Sequence, residues 1–340
     1  MKKNIAIIGL GVMGEKYCNL INKENKYRII AICDKDEKKL KKNSIKFKVK
    51  NIFSNHKKLL NAKLKIDLII VSTTAESHAS IIQDSILSKC KNILTEKPVC
   101  NSIKDAKMLV KLKNRFKSRI SVNHSRRFFK SYTLVKNIIK KGLIGKLVSI
   151  NIQMGGGKLG SNGSHITDLI RHLIEEEPTY VIGFINKSKY ANPRGKKFFD
   201  PGGYGIIVFK NNLRAFIDLM EDHSSPPTIM IISSKGRIFF DEREKKLSLF
   251  TRPKTKFNFP ISKRIGFIKK IIKCDKLDIS QLAKNNIVNL LSKNKILCSL
   301  EDGIKSLEMI LAFHISNNKN NQKVKFPITK IHHEKRYKFA

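Results

Sequence analysis

Ile5-Ala6-Ile7-Ile8-Gly9-Leu10-Gly11-Val12-Met13-Gly14 decides how the rest of the chain is read. An apolar run of strand character meets three glycines in G-x-G-x-x-G spacing. A segment of helical character, Gly14 to Asn22, follows at once. A second apolar run, Arg28-Ile29-Ile30-Ala31-Ile32-Cys33, ends in Asp34, 20 residues after Gly14. A lone G-x-G-x-x-G says little. Between a strand and a helix, with an acid at that distance, it is a dinucleotide fingerprint. Gly9 permits the tight turn, Gly11 lets backbone approach a pyrophosphate, and Gly14 lets helix and strand pack closely. Val12 and Met13 lie between the last two glycines and are expected to border the cofactor at the start of the helix, whose free N–H groups and dipole attract an anion. Asp34 is placed to accept ribose hydroxyls and repel a 2′-phosphate, which favours NAD over NADP. Lys35 and Lys38 soften that repulsion.

Outward from this unit, strand and helix signals alternate for about 120 residues. Strands are expected at Asn4–Ile8, Arg28–Cys33, Lys46–Phe47, Leu68–Ser72, Asn92–Thr95 and Ile120–Asn123. Helices are expected at Glu37–Ser44, His56–Asn61, His78–Ser88 and Ser102–Phe116. That alternation predicts an α/β Rossmann domain, a doubly wound parallel sheet, over residues 1–123. After Asn123 the texture changes. His124–Lys141 reads as helix. Longer strand-like runs then dominate: Lys146–Met154, Thr179–Lys187, Tyr204–Lys210, Leu213–Met220, Ile229–Ser233, Arg237–Asp241 and Lys246–Phe250. Asn211-Asn212 and Ser234-Lys235-Gly236 read as hairpin turns. Residues 124–340 are therefore expected to form an α+β domain with a large, open, mostly antiparallel sheet. Helices at Ser164–Ile174 and Glu301–Ser316 and a short run at Lys323–Phe326 belong to it. The Lys- and Asn-rich stretch Pro253–Leu297 has a weak helical period and is not placed.

Composition narrows the function classes. The 340 residues are 41% hydrophobic and 28% charged, a normal globular balance. No apolar run approaches the ~20 residues that span a bilayer. The basic, apolar start resembles a signal peptide but lacks a small-x-small cleavage site. The six cysteines form no C-x-x-C pair, which suits reduced, cytoplasmic thiols better than a zinc site or a disulfide framework. The net charge of +42 would suit a nucleic-acid or membrane partner, but 56 of the 69 basic residues are Lys and they are spread along the chain. Nucleic-acid readers favour Arg for base and phosphate contacts. No dedicated nucleic-acid or membrane partner is therefore expected, although the field would help capture an anionic substrate.

Three further sites could do chemistry. Ser72, Thr73 and Thr74 lie at the carboxyl end of a core strand, where open α/β sheets bind ligands, with His78 following. They could line a ribose and pyrophosphate, or simply cap the next helix. Glu96-Lys97 lies at the end of the next long strand. A lysine there could hold a substrate oxygen and stabilise its developing charge, or be one more surface lysine. His165, Asp168 and His172 share one face of the helix after the Gly155-Gly156-Gly157 loop. An Asp–His pair one turn apart is a plausible base unit, because His titrates near neutrality. The same three side chains could instead ligate a metal, or merely pack, but a dinucleotide site makes a metal unnecessary and none is expected.

Taken in order, these motifs resemble the Gfo/Idh/MocA oxidoreductases. The resemblance rests on Gly9–Gly14, Asp34, Thr73 with His78, Glu96-Lys97-Pro98, Asn123-His124-Ser125-Arg126-Arg127-Phe128, His165-Ile166-Thr167-Asp168 with His172, and Gly303–Glu308 leading to Ala312 and Ser316. It implies a Rossmann domain followed by an open-faced domain that builds a homodimer or homotetramer contact. It implies Lys97 as the catalytic lysine, with Asp168 and His172 as the substrate-binding and acid–base pair. His124 and Arg127 resemble a version found in members acting on nucleotide-linked sugars. One departure is Thr74, where the family often has Pro. The expected protein is an NAD(P)-dependent dehydrogenase acting on a CH–OH group of a carbohydrate, free or nucleotide-linked. The alternative is a catalytically silent NAD(P)-binding regulator of the same fold.

Overall fold

The computed structural model describes residues 1–186, 192, 194–256, 258–259, 266–292 and 294–339. Six short apolar strands, β1 (Lys3–Ile8), β2 (Tyr27–Cys33), β3 (Asn51–Phe53), β4 (Leu68–Val71), β5 (Asn92–Thr95) and β6 (Arg119–Val122), form one sheet. Every pairing in it is parallel and the order is β3-β2-β1-β4-β5-β6. The order reverses direction between β1 and β4. The carboxyl ends of those strands therefore splay their loops into the crevice where ligands bind. Helices α1 (Val12–Asn22), α2 (Glu37–Phe47), α3 (His56–Asn61), α4 (Ala75–Leu87) and α5 (Ile103–Phe116) make the crossovers. Their starts are chemically marked. Asp36 accepts from Lys39 N at 3.2 Å and Ser102 from Asp105 N at 3.1 Å, supplying acceptors for orphan N–H groups.

The expected strand at Lys46–Phe47 is instead the last turn of α2. Phe47 packs into the core from that helix, Lys48 ends it in the left-handed region (φ 53°), and the third strand comes later, at Asn51–Phe53. The expected helix His124–Lys141 is broken. Ser125–Phe128 forms a 3-10 turn, and α6 runs from Lys130 to Lys140.

The second sheet has nine strands. They are β7 (Leu147–Gln153), β8 (Pro178–Ile185), β9 (Gly203–Phe209), β10 (Arg214–Asp218), β11 (Thr228–Ser233), β12 (Gly236–Asp241), β13 (Lys246–Thr251), β14 (Ile268–Lys273) and β15 (Val324–Lys325). The order is β14-β13-β12-β11-β7-β10-β9-β8-β15, antiparallel except for β7 with β10. Lys187, the expected end of β8, lies outside the described residues. Helices α6, α7 (Gly163–Ile174) and α9 (Leu300–Asn318) pack with this half of the chain. Gly183 of β8 admits the Phe313 ring of α9 and donates its N–H to Ser316 Oγ at 3.0 Å.

The stretch left unplaced by periodicity holds β14 and α8 (Ile279–Leu291). Helix α8 crosses back to the first sheet. Its Ala283, Ile287 and Leu290 share a core with Ile5, Ile7 and Leu94. One face of the first sheet is thereby covered by helices from both halves of the sequence, α1 and α8.

Candidate active site

The glycine turn is built by its neighbours. Gly9 has φ +97°, and a Cβ there would lie 2.7 Å from Ser72 C and Thr73 N. Gly14 packs on the Gly9 carbonyl with no room for a side chain. At Gly11 a Cβ would meet nothing within 4 Å, and Val12 beside it is 75% exposed. The glycine at position 11 therefore leaves an open approach to the amino end of α1. That approach suits a pyrophosphate, as does the anion-attracting helix start.

Asp34, at the end of β2, accepts Leu10 N at 2.6 Å and Asp36 N at 3.0 Å. A carboxylate has about four lone-pair sites, so acceptor capacity remains for ribose hydroxyls. Ser72 donates from Oγ to Gly9 O at 2.8 Å and so locks the glycine turn. Thr73 Oγ1 accepts from Ser77 Oγ at 2.8 Å, and Thr74 stands at the N-cap of α4 without a side-chain capping bond. His78 lies inside α4, 1% exposed, between the Pro98 carbonyl (2.8 Å) and the Thr73 carbonyl (3.1 Å). It ties the 72–74 turn to the Lys97-Pro98 segment and does not reach the crevice. Glu96 is likewise a brace, its Oε1 accepting from Tyr17 Oη and Asn123 Nδ2, both at 2.8 Å.

Lys97 emerges from this braced edge and donates from Nζ to Ser161 O at 2.8 Å. Burial drives its pKa down to about 8, opposed by Glu96 and Asp200 and assisted by Arg194 and Arg126. Ser161 leads into α7, and His165 is on the first turn of that helix. The His165 Nδ1 is buried without a partner. Burial first, then the charges of Lys97 and Arg126 and nearby His124, push its pKa well below the usual value, so the ring is neutral near pH 7. His124 is 1% exposed, meets His165 edge-to-face at 6.0 Å, and has no partner on either ring nitrogen. Buried polar atoms without partners are uncommon in native structures and mark sites that a ligand or water completes. His124 and His165 carry such atoms, close to the ammonium of Lys97.

The expected pairing of Asp168 with His172 is not formed. Asp168 is held by Arg127 in a two-pronged salt bridge, Nε to Oδ2 at 2.8 Å and Nη2 to Oδ1 at 2.7 Å. Arg127 also contacts Asp302 Oδ2 at 3.1 Å and donates to Leu297 O at 2.8 Å. Asp302 in turn completes a capping box with Ser299 at the start of α9. Asp168 and Arg127 thus bolt the 3-10 turn, α7 and α9 together. His172 faces Lys136 at 3.5 Å, and burial together with Arg127 and Lys136 lowers its pKa to about 4. Seven residues of helix advance about 10 Å, so His165 and His172 stand two turns apart on α7. Of these two, only His165 feels the charge of Lys97.

The Gly155–Gly157 loop owes its glycines to neighbouring chain. A Cβ on Gly155 would collide with the His223 carbonyl, and one on Gly157 with Glu221. Two residues of the site were given no role of their own by the sequence, although Arg126 lies within the 123–128 motif. Arg126 is buried against Glu242 in a second two-pronged bridge, 2.7 and 3.0 Å. Asp200 accepts Gly160 N at 2.6 Å and Ser161 N at 3.0 Å. All six cysteines are buried and free. Among the described residues, no group of three His, Cys, Asp or Glu side chains is placed to hold a metal ion, and no helix is long and apolar enough to cross a membrane.

Strand order, glycine turn and acid at the end of β2 define an NAD-binding Rossmann fold, and comparison with known proteins agrees. Residues 3–124 match the model of the oxidoreductase family with an NAD-binding Rossmann fold, Gfo/Idh/MocA. An uncharacterized oxidoreductase of Bacillus subtilis, YrbE, is 25% identical over 280 residues, spanning 70% of this chain and 81% of that protein. Myo-inositol 2-dehydrogenase of Thermotoga maritima is 22% identical over 253 residues, spanning 70% and 75%. Levoglucosan dehydrogenase, solved with NADH and levoglucosan, matches with a TM-score of 0.80 at 17% identity, covering 96% of this chain and 100% of that one. Residues 3–124 are thus similar to the NAD-binding domain of the Gfo/Idh/MocA oxidoreductases.

Proposed function

We propose that the protein is an NAD-dependent dehydrogenase that interconverts a carbohydrate ring hydroxyl and its ketone. The observation that carries this is the convergence of His165 and His124, with ring nitrogens that have no partner, on Lys97 at the carboxyl edge of β5. Bound NAD supplies the hydride acceptor. The chain's own groups handle the oxygen and its proton. Lys97, held by the Ser161 carbonyl, keeps N–H groups free to bind the reacting oxygen and stabilise charge on it. His165, neutral because burial and Lys97 disfavour its cation, is the general base that takes the hydroxyl proton. His124, also neutral, offers one donor and one acceptor, a match for a neighbouring hydroxyl. Acid–base assistance from one such group contributes about 10²–10⁴-fold. Asp168 and His172 take supporting roles in this scheme. The test is NADH formation across a panel of free and nucleotide-linked sugars, with Lys97→Ala as control. Turnover that survives in Lys97→Ala overturns the mechanism; NAD binding without turnover of any sugar favours a regulator.

The same reading extends to assembly. One face of the nine-stranded sheet carries Phe184, Tyr204, Phe216, Met230 and Phe239, aligned across neighbouring strands by register and 37–42% exposed in the last four. A contiguous apolar face of this kind marks an interface, here a homodimer made by two such sheets. Sedimentation of the wild type and of Phe216→Asp tests it: the wild type should sediment as a dimer or larger and the variant as a monomer.

A further inference from the structure

Lys97 is held by a turn, and that turn is held by two parts of the chain far from it in sequence. Leu159 N donates to Pro201 O at 2.8 Å, Gly160 N to Asp200 Oδ1 at 2.6 Å and Ser161 N to Asp200 Oδ2 at 3.0 Å. One carboxylate, 5% exposed, thus orients two successive peptide units. The next peptide unit begins with the Ser161 carbonyl, which accepts from Lys97 Nζ at 2.8 Å and from Ser164 Oγ at 3.0 Å. The carboxyl-terminal segment seals the turn from behind. Phe339 is fully buried against Gly160, and Lys338 O accepts Phe199 N at 2.8 Å, one residue before Asp200. A Cβ on Gly160 would collide with the Phe339 ring and come within 2.9 Å of Asp200 Oδ1.

We propose that Asp200 is the positioning residue of Lys97: it sets the direction of the Ser161 carbonyl, and Phe339 fixes the turn against it. Its role rests on the dehydrogenase reading of Lys97, but the contact itself does not. A carboxylate can accept both N–H groups at once. An Asn amide oxygen replaces it on one side and presents an NH₂ to the other. Asp200→Asn therefore keeps the shape of the side chain and releases one peptide unit. The charged groups around Lys97 are Glu96, Arg194, Asp200 and Arg126, and those around Asp200 are Lys97 and Lys158. Removing the Asp200 charge leaves the ammonium form of Lys97 less favoured.

The experiment is acetic anhydride labelling of Lys97 across pH, followed by peptide mass spectrometry, in full-length wild type and Asp200→Asn. The wild-type midpoint is expected near the lowered value of about 8. The variant's midpoint should fall and its labelling at neutral pH should be faster. A turn displaced by about 1 Å should cost kcat about 100-fold, with KM for NAD little changed. Should Asp200→Asn not fold, Phe339→Leu loosens the same turn without touching the carboxylate and should speed labelling in the same sense. Wild-type labelling and kcat in a folded Asp200→Asn, or wild-type labelling in Phe339→Leu when the first does not fold, overturn the proposal. Shifted labelling without turnover in either protein would uphold the role of Asp200 and sink the dehydrogenase reading.

Discussion

The glycine turn at Gly9–Gly14 and the helix start at Ser161–His172 meet at one crevice, yet they are specified differently. The turn is contiguous. Strand, glycines and helix follow each other, and Gly9, Gly14 and Asp34 lie within one βαβ unit, with Ser72 locking the turn from 63 residues away. The helix start is assembled from afar. Lys97 reaches it across 64 residues, Asp200 clamps it across 39 and Arg127 meets Asp168 across 41. A local motif states its own geometry. An assembled site states only its candidates, and packing chooses among them.

The sharpest test of that contrast lies within α7. His165→Ala should lower kcat about 10²–10⁴-fold, the range for a lost general base. His172→Ala should stay within a few-fold of the wild type, because that ring is about 10 Å further along the helix. Steady-state kinetics on the first sugar found to turn over would decide. Equal losses would restore His172 to the reaction.

The next largest effect is on stability. Arg127→Ala leaves Asp168, 1% exposed, as a buried carboxylate without its two-pronged partner and frees Asp302 from one of its two arginines. Removing one partner of a buried pair costs about 3–5 kcal/mol. Denaturant midpoints should fall accordingly, and a loss below about 1 kcal/mol would mean that Asp168 finds water instead. A smaller effect follows from His172 itself. Its folded pKa of about 4 lies below the ordinary 6.5, so the unfolded chain binds the proton first. Its contribution is fully present above pH 6.5 and is lost as pH falls towards 4, by at most about 3 kcal/mol. Replacing it with Gln should flatten the melting-temperature profile between those values. An unchanged acid slope would assign the loss to other buried histidines, such as His314.

Legibility followed the same divide. The parallel sheet, its crossovers and the nucleotide turn were legible because period, glycine spacing and caps are local signals. Phe47 was misread as strand because two apolar or amphipathic residues carry no period, whereas the helix gained a core contact by running on to Lys48. The segment holding β14 and α8 was not legible, since Lys and Asn dilute the apolar stripe that α8 turns towards the first sheet. On α7 the shared face of His165, Asp168 and His172 was legible, but spacing cannot say which of them has a partner. Arg127, on another element, claims Asp168. Asp200 precedes Pro201-Gly202 and carries the signal of a turn residue only. Its function appears only when Gly160 and Ser161 are folded against it.

The mildest prediction tests the contiguous site. Asp34 is the one side chain of the glycine unit that speaks to cofactor choice, and its two oxygens are oriented by Leu10 N and Asp36 N. Asp34→Ala removes both the acceptors for ribose hydroxyls and the charge that repels a 2′-phosphate. The exposed Lys35 and Lys38 then dominate the local field. Affinity for NAD should weaken about tenfold, as for the loss of one or two hydrogen bonds to a charged group at about 1.5 kcal/mol. Affinity for NADP should hold or improve, so that the ratio between the two approaches one. Titration of both cofactors against wild type and variant measures this without any sugar substrate. An unchanged ratio would mean that discrimination is set outside the βαβ unit. The glycine turn would then be as dependent on distant residues as the helix start, and the contrast between the two regions would fail.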